Sequence, residues 1–318
     1  MPTLLISYTL PEPSVHSLAK HFTLIRPTEA PSFDREEILK HITEVDGYLA
    51  VNTAVDREII NRGKKLKIIA NYGAGYDDID IKYAAARGIV VTNTPTAVTE
   101  ATAEIAFGLM LSLLRNITFC DRQLRHNQDF VWGMLKAHTG CSLYGKTLGL
   151  VGLGRIGRAV ARRAVVSGMN VIYHQRHPLF PVLEKAVGAE YCELNELLEQ
   201  ADIVSLHVPL TDETHHLIGE SQLQRMKPSA YLINTARGPV VDQAALIRHL
   251  QEGKLAGAGL DVFAEEPYVP SDLLAMDQVV LTPHIGTETV EARIAMATEA
   301  ERNLIAFFQG DRPPNVVN

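Results

Sequence analysis

The chain has 318 residues, 46% of them hydrophobic and 21% charged, with a formal net charge of −7. Such a length predicts two domains, with enough apolar content to form cores without covalent staples. Interspersed charges on an acidic total argue against a nucleic-acid or anionic-membrane partner, while leaving room for a local basic pocket.

Three cysteines, Cys120, Cys141 and Cys192, sit far apart without a CxxC pair, a pattern expected of a reduced intracellular protein. The opening "MPTLLISYTLPEPS" has one short apolar run and no basic flank, unlike a signal peptide. No apolar run approaches membrane-spanning length. The expected location is cytoplasmic, with no membrane partner.

In chain order, "TLLISY", "GYLAV" and "LKIIA" read as buried strands. Between the first two, "DREEILKHI" reads as a helix capped by Asp34, with Glu37 placed to complete a capping box. "TEATAEIAFGLMLSLLRNI" predicts a long helix from near Thr99, apolar around most of its circumference, buried on several sides and able to bridge two domains. After residue 145 the strand rhythm returns in "TLGLVG", "NVIYH", "DIVSLHV", "AYLIN", "AGAGLDV" and "VVLTPH". Strands that alternate with helical or loop sequence in this way predict a parallel sheet. The amphipathic final segment "TETVEARIAMATEAERNLIAFFQG" is expected to return to the first domain. These readings give an outer domain of residues 1–97 and 286–318 around an inserted domain of residues 98–285.

Gly152, Gly154 and Gly157 stand in GxGxxG spacing between an apolar strand and a helix. That context gives the pattern its meaning: a tight turn, a close backbone approach to a pyrophosphate, and close packing of helix on strand. Amides at the helix start are then free to hold phosphate. At the end of the next strand, His174, Gln175 and Arg176 stand where an NAD site usually carries an acidic residue, His174 being 22 positions after Gly152. A carboxylate there would repel the 2′-phosphate of NADP. Its absence and the forked cation of Arg176 favour NADP(H), with NAD(H) possible. His174 and His177 are candidate additional donors. The alternative is a solvated loop in which Arg176 has no ligand.

Three later strand ends each deliver polar groups: Arg237 in "LINTARGPVVD", Asp261 and Glu266 in "GLDVFAEEP", and His284 in "VVLTPHIGTET". Ligands bind beyond the carboxyl ends of strands in open parallel sheets, so these groups can converge. Hydride transfer to a carbonyl needs a proton donor, and histidine titrates near neutrality. A carboxylate beside it stabilises imidazolium. An arginine anchors a carboxylate and polarises a keto oxygen. Each residue alone has an ordinary structural reading; the three together beyond a dinucleotide fold point to a site. No metal site is expected: His174 and His177, like His215 and His216, lack companion ligands at zinc-like spacing. A GxSxG elbow and a GxxxxGK[ST] loop are also missing.

The segments "NYGAGYDDID", "GKTLGLVGLGRIG", "HVPLTDETHHLI", "INTARGPVVD", "GLDVFAEEP" and "TPHIGTET", in that order, resemble the D-isomer-specific 2-hydroxyacid dehydrogenases over essentially the whole chain. Within that family the chain is similar to the glyoxylate/hydroxypyruvate reductase branch. The resemblance implies an α/β chain of two Rossmann-like domains with parallel sheets, the nucleotide-binding domain inserted into a smaller flavodoxin-like substrate domain. It implies reduction of a small 2-oxo acid to the D-2-hydroxy acid by NAD(P)H without a metal. Arg237 would be the substrate arginine, Glu266 and His284 the acid–base pair, and Asp261, at the cofactor, would tune that pair. Tyr72, Gly73, Ala74 and Gly75 would hold the substrate carboxylate on backbone amides. Arg155 and Ile156 would lie along the pyrophosphate. Thr102, Val208, Pro209, Thr214, Thr235 and Ala236 would border the cofactor, and Gly286 its nicotinamide end. A homodimer through the nucleotide-binding domain is implied as well.

Neutral Asn52 and Thr53 in "AVNTAV" favour a substrate with a small uncharged tail. Trp132 is either a pocket residue reaching a partner's site or an interface anchor. Two rival functions stay open at this level: a dinucleotide-sensing binding protein without turnover, as in corepressor relatives of this fold, and a dehydrogenase of a different small oxyanion.

Overall fold

Residues 1–126 and 139–318 are described by the computed structural model, so Trp132 lies outside the described residues. The chain divides into two compact units, one of Met1–Val98 with Thr287–Asn318 and one of Thr99–Gly286.

The first unit is a five-stranded parallel sheet built from β1 (Thr3–Ile6), β2 (Thr23–Ile25), β3 (Gly47–Ala50), β4 (Ile68–Asn71) and β5 (Val90–Thr92), in the order β2-β1-β3-β4-β5. That is the flavodoxin-type order. All four residues of β3 are buried, as expected where helices cover both faces of a parallel sheet. The connecting helices are α1 (Glu12–Leu18), α2 (Arg35–His41), α3 (Arg57–Arg62) and α4 (Ile81–Ala86). Asp34 caps α2 as its sequence predicts: its carboxylate accepts from Glu37 N at 2.9 Å, and Asp34 N donates to the Glu37 carboxylate at 2.9 Å. The short strands β2 and β5 have no counterpart among the apolar runs read from sequence.

The second unit opens with α5 (Thr99–Leu114) and α6 (Ile117–His126). α5 is the helix expected from near Thr99. It ends just before Asn116, which takes φ 53°, a left-handed conformation that ends helices and that asparagine tolerates. α6 then leaves at a bend of 63°. No single helix among the described residues is long and apolar enough to cross a membrane. The unit continues through β6 (Thr147–Val151), α7 (Arg155–Val166), β7 (Asn170–His174), α8 (Pro181–Val187) and β8 (Glu190–Tyr191). Then come α9 (Leu194–Gln200), β9 (Ile203–Leu206), α10 (Glu220–Leu223) and β10 (Tyr231–Asn234). Last are α11 (Gln243–Gln251), β11 (Gly257–Leu260), α12 (Ser271–Leu274) and β12 (Val279–Leu281).

These seven strands form one parallel sheet in the order β12-β11-β10-β9-β6-β7-β8. The order reverses at β6, with β7 on one side and β9 on the other, and that switch point is where dinucleotides bind in Rossmann sheets. One apolar cluster joins Leu206, Leu232 and Leu246; another packs Leu109 and Met110 of α5 with Leu148 and Val160.

The chain then returns to the first unit as α13 (Val290–Gln309), which packs on β4 and α1, as its amphipathic sequence predicts. Beyond it, Val316 pairs antiparallel with Thr92, and Asn318 bonds to Val91 N and Ile89 O. The tail thereby covers the open edge of β5.

Candidate active site

At the end of β6, Gly152 turns the chain with φ 95°, and a Cβ there would lie 2.6 Å from His207 O. A Cβ on Gly157 would lie 2.2 Å from Gly152 O, so α7 crosses the loop too closely for any side chain. Gly154 has open space where a Cβ would project. It caps α7, whose first residues, Arg155 and Ile156, carry amides that no helical carbonyl can reach. The loop thus combines a tight turn, an open face and free donors, which fits a pyrophosphate. The hydroxyl of Thr235 is buried without a hydrogen-bond partner among the described residues. Burial pushes His207 down to about 4, so its ring is neutral beside this loop at physiological pH.

The end of β7 is held in detail. His174 Nδ1 lies 3.1 Å from the Cys192 carbonyl, which can only accept, so a neutral His174 has its one N–H occupied. Gln175 accepts from Leu153 N at 3.1 Å and donates to His177 O at 2.6 Å, tying the glycine loop to the next turn. Tyr173 donates to Glu184 and accepts from Leu179 N, each at 2.7 Å. Arg176 is exposed and has no ion pair among the described residues. No carboxylate occupies residues 174–176.

Beyond β10, β11 and β12 the catalytic candidates meet. His284 Nδ1 is 2.7 Å from Glu266 Oε2, and Glu266 Oε1 accepts from Phe263 N at 3.0 Å. Partial burial opposes the charge of Glu266. The His284 ring, the Phe263 amide and the positive charge of Arg237 outweigh it and hold the carboxyl below its usual range. Arg237 stands next to Gly238, which packs on the Phe263 backbone, so the end of β10 lies against the loop that carries Glu266. Gly238 makes this approach possible, since a Cβ there would lie 1.9 Å from the backbone of Phe263.

His284 adopts φ 54°, an uncommon conformation for a residue with a side chain and one that points to function. Asp261 imposes it. Its carboxylate accepts from Thr282 Oγ1 at 2.6 Å, Ile285 N at 2.8 Å and Gly286 N at 2.9 Å, while its carbonyl accepts from His284 N at 2.8 Å. Thr102 adds a bond to Gly286 O at 3.2 Å. Burial outweighs these donors and pushes the Asp261 carboxyl up. Asp261 is only 1% exposed, so it acts on His284 through this knot of bonds.

Around these groups, Thr214 donates to Pro209 O at 2.6 Å, closing the loop that carries Val208, and Ala236 N bonds to Asn234 at 3.0 Å. In the first unit the Tyr72 hydroxyl donates to Arg293 O, whose guanidinium lies over the ring 5.7 Å from its centroid. The Tyr72 side chain is thus packed inward, while Gly73, Ala74 and Gly75 after it are part-exposed. Gly238, Phe263 and Thr282 were invisible as site residues in the sequence, because their parts are backbone or indirect. Among the described residues, no group of three His, Cys, Asp or Glu side chains could hold a metal ion.

The NAD-binding domain model of the D-isomer-specific 2-hydroxyacid dehydrogenases matches residues 107–286. The chain is 47% identical over 322 aligned positions to the glyoxylate reductase of Thermococcus litoralis, covering 100% of this chain and 97% of that protein. Its structure resembles that of a glyoxylate reductase from Paecilomyes thermophila, with TM-score 0.87 and 37% identity over 100% of this chain and 99% of the other. It also resembles an NADPH-dependent glyoxylate/hydroxypyruvate reductase from Sinorhizobium meliloti in complex with NADP and malonate. There the TM-score is 0.89, with 35% identity over 99% of this chain and 96% of that one. With the switch-point glycine loop and the histidine–carboxylate pair beside an arginine, these likenesses place the chain in the D-isomer-specific 2-hydroxyacid dehydrogenase family. It belongs to the glyoxylate/hydroxypyruvate reductase-like branch of those NAD(P)-dependent oxidoreductases.

Proposed function

We propose that this enzyme reduces glyoxylate or hydroxypyruvate to the D-2-hydroxy acid, with NADPH preferred over NADH. The reading rests above all on the 2.7 Å contact between His284 and Glu266 within reach of the Arg237 charge. When bound on the glycine loop and α7, the nicotinamide cofactor supplies the hydride. The chain supplies the rest. Arg237 orients the 2-oxo acid and draws electron density toward its keto oxygen. With Nδ1–H directed at Glu266, His284 gives the proton on Nε2 to the developing alkoxide. Glu266, ionised at neutral pH, stabilises the imidazolium before that transfer. Backbone amides after Tyr72 take the substrate carboxylate.

NADPH preference is supported by the missing carboxylate after β7 and by the exposed Arg176, which has no ion pair among the described residues. Steady-state assays pairing NADH and NADPH with glyoxylate, hydroxypyruvate, pyruvate and bulkier 2-oxo acids test both parts. The expected result is highest kcat/KM for the two small substrates with NADPH. Arg176→Ala should lower kcat/KM for NADPH about tenfold or more and leave NADH within about twofold, as for loss of one charge-assisted phosphate contact. Equal losses with both cofactors would remove Arg176 from phosphate recognition, and tight cofactor binding without turnover would favour a dinucleotide sensor.

A homodimer through the second unit is part of the proposal. Its support is α6, which buries none of its side chains and leaves Ile117 and Leu124 about half exposed. Three free cysteines support a reducing, cytoplasmic setting.

A further inference from the structure

β4 and β5 are neighbours in the first unit's parallel sheet, and each ends on or just before an asparagine, Asn71 and Asn93. Both side chains turn to the loop that follows Tyr72. Asn71 Nδ2 donates to Gly73 O at 3.0 Å and to Gly75 O at 2.7 Å. Asn93 Nδ2 donates to the intervening Ala74 O at 2.8 Å, and Thr94 N adds a bond to Gly73 O at 2.9 Å. Three successive carbonyls are therefore pinned by the protein. In a trans peptide the N–H points opposite the C=O of the same plane. The amides of Ala74, Gly75 and Tyr76 are accordingly turned away from the donors that hold their carbonyls. None of them has an acceptor among the described residues, and all three residues are part-exposed.

The clamp is itself anchored. Asn93, 7% exposed, receives a bond on its carbonyl from Asn303 Nδ2 of α13 at 3.0 Å. Its amide donates to Asn315 O at 3.2 Å, and Asn315 N donates to Asn303 Oδ1 at 3.2 Å. Fully buried Asn303 and the tail thus fix the residue that fixes the loop.

We propose that Asn71 and Asn93 are positioning residues for substrate. They hold the amides of Ala74, Gly75 and Tyr76 as a preformed site for the carboxylate of the 2-oxo acid. The inference rests on the reductase reading above and adds to it a cause for the loop's shape and a third donor, Tyr76 N. Preorganised donors need no reordering on binding, which is where such a site gains affinity.

Asn71→Asp keeps the size and replaces the shared donor with an acceptor facing two carbonyls. KM for glyoxylate and the inhibition constant for oxamate, a carboxylate that is not reduced, should each rise about tenfold or more. kcat should change less than about threefold, and NADPH affinity by fluorescence less than about twofold, the pattern of lost uniform substrate binding. A folded variant with KM within twofold of the parent, or with equal loss of NADPH affinity, would overturn the assignment. If Asn71→Asp shows no cooperative melting, Asn93→Ser, which removes one bond, is judged by the same ratios. Amide resonances of Ala74, Gly75 and Tyr76 in the unmodified protein separate the two claims. Oxamate-dependent shifts without turnover of any 2-oxo acid would sink the reductase reading and uphold the clamp. Normal turnover without such shifts would do the reverse.

Discussion

Glu266 shows how a single side chain sets a pH response. Its folded carboxyl lies below the usual range because His284, Phe263 N and Arg237 overcome its partial burial. Ionisation therefore favours the folded state above the ordinary carboxylate value, and that contribution fades as pH falls toward the lowered one. Near neutrality Glu266 is an anion facing His284 Nδ1. Glu266→Gln removes that charge and leaves His284 Nδ1 facing a neutral amide. If the pair does the work proposed for it, kcat for reduction should fall about tenfold to a hundredfold, with NADPH affinity changed less than about twofold. Steady-state rates and fluorescence titration of NADPH measure this. A variant that keeps the parent kcat would remove Glu266 from the proposed mechanism.

At the scale of elements, the β6–α7 junction depends on space rather than charge. A methyl group at position 157 would meet a backbone oxygen at 2.2 Å, and backbone cannot swing aside as a side chain can. Gly157→Ala should therefore destabilise the second unit by about 1–3 kcal/mol, the usual cost of overpacking, and weaken NADPH binding by at least about tenfold. Thermal melts with and without NADPH measure both, and a variant that matches the parent in each would refute the close-packing role. The glycine spacing itself was readable in the sequence because strand, turn and helix are contiguous. The α5–α6 break falls on Arg115 and Asn116 at the end of the apolar run, and the left-handed φ of Asn116 is a conformational choice, not a pattern. Three strands of two or three residues, β2, β5 and β8, were missed because periodicity needs more residues than they contain.

For the whole molecule, the prediction concerns assembly. An amphipathic α6 without a buried side chain exposes apolar groups that a second copy would cover. Light scattering should report about twice the 35.0 kDa of one chain. Leu124→Glu should shift the population toward monomer, since a charge on a buried apolar patch is strongly unfavourable. A parent protein that is monomeric at micromolar concentration would end the dimer proposal.

Local pattern determined much of this protein. Alternating buried strands and helices, the capping box at Asp34, the glycine loop and the absence of an acid after β7 all arise from residues close together in the chain. Arg237, Glu266 and His284 became catalytic candidates by the same kind of pattern, since each follows a strand of a parallel sheet. Tertiary structure alone decided what holds them. Asp261 grips residues 282–286 from the neighbouring strand end, and Gly238 admits the backbone of Phe263. Asn71 and Asn93 pin carbonyls from two adjacent strands, with Asn303 and Asn315 behind them. These roles depend on buried hydrogen bonds between residues distant in the chain, and a polar residue's partner is a property of the folded neighbourhood, not of its spacing in sequence.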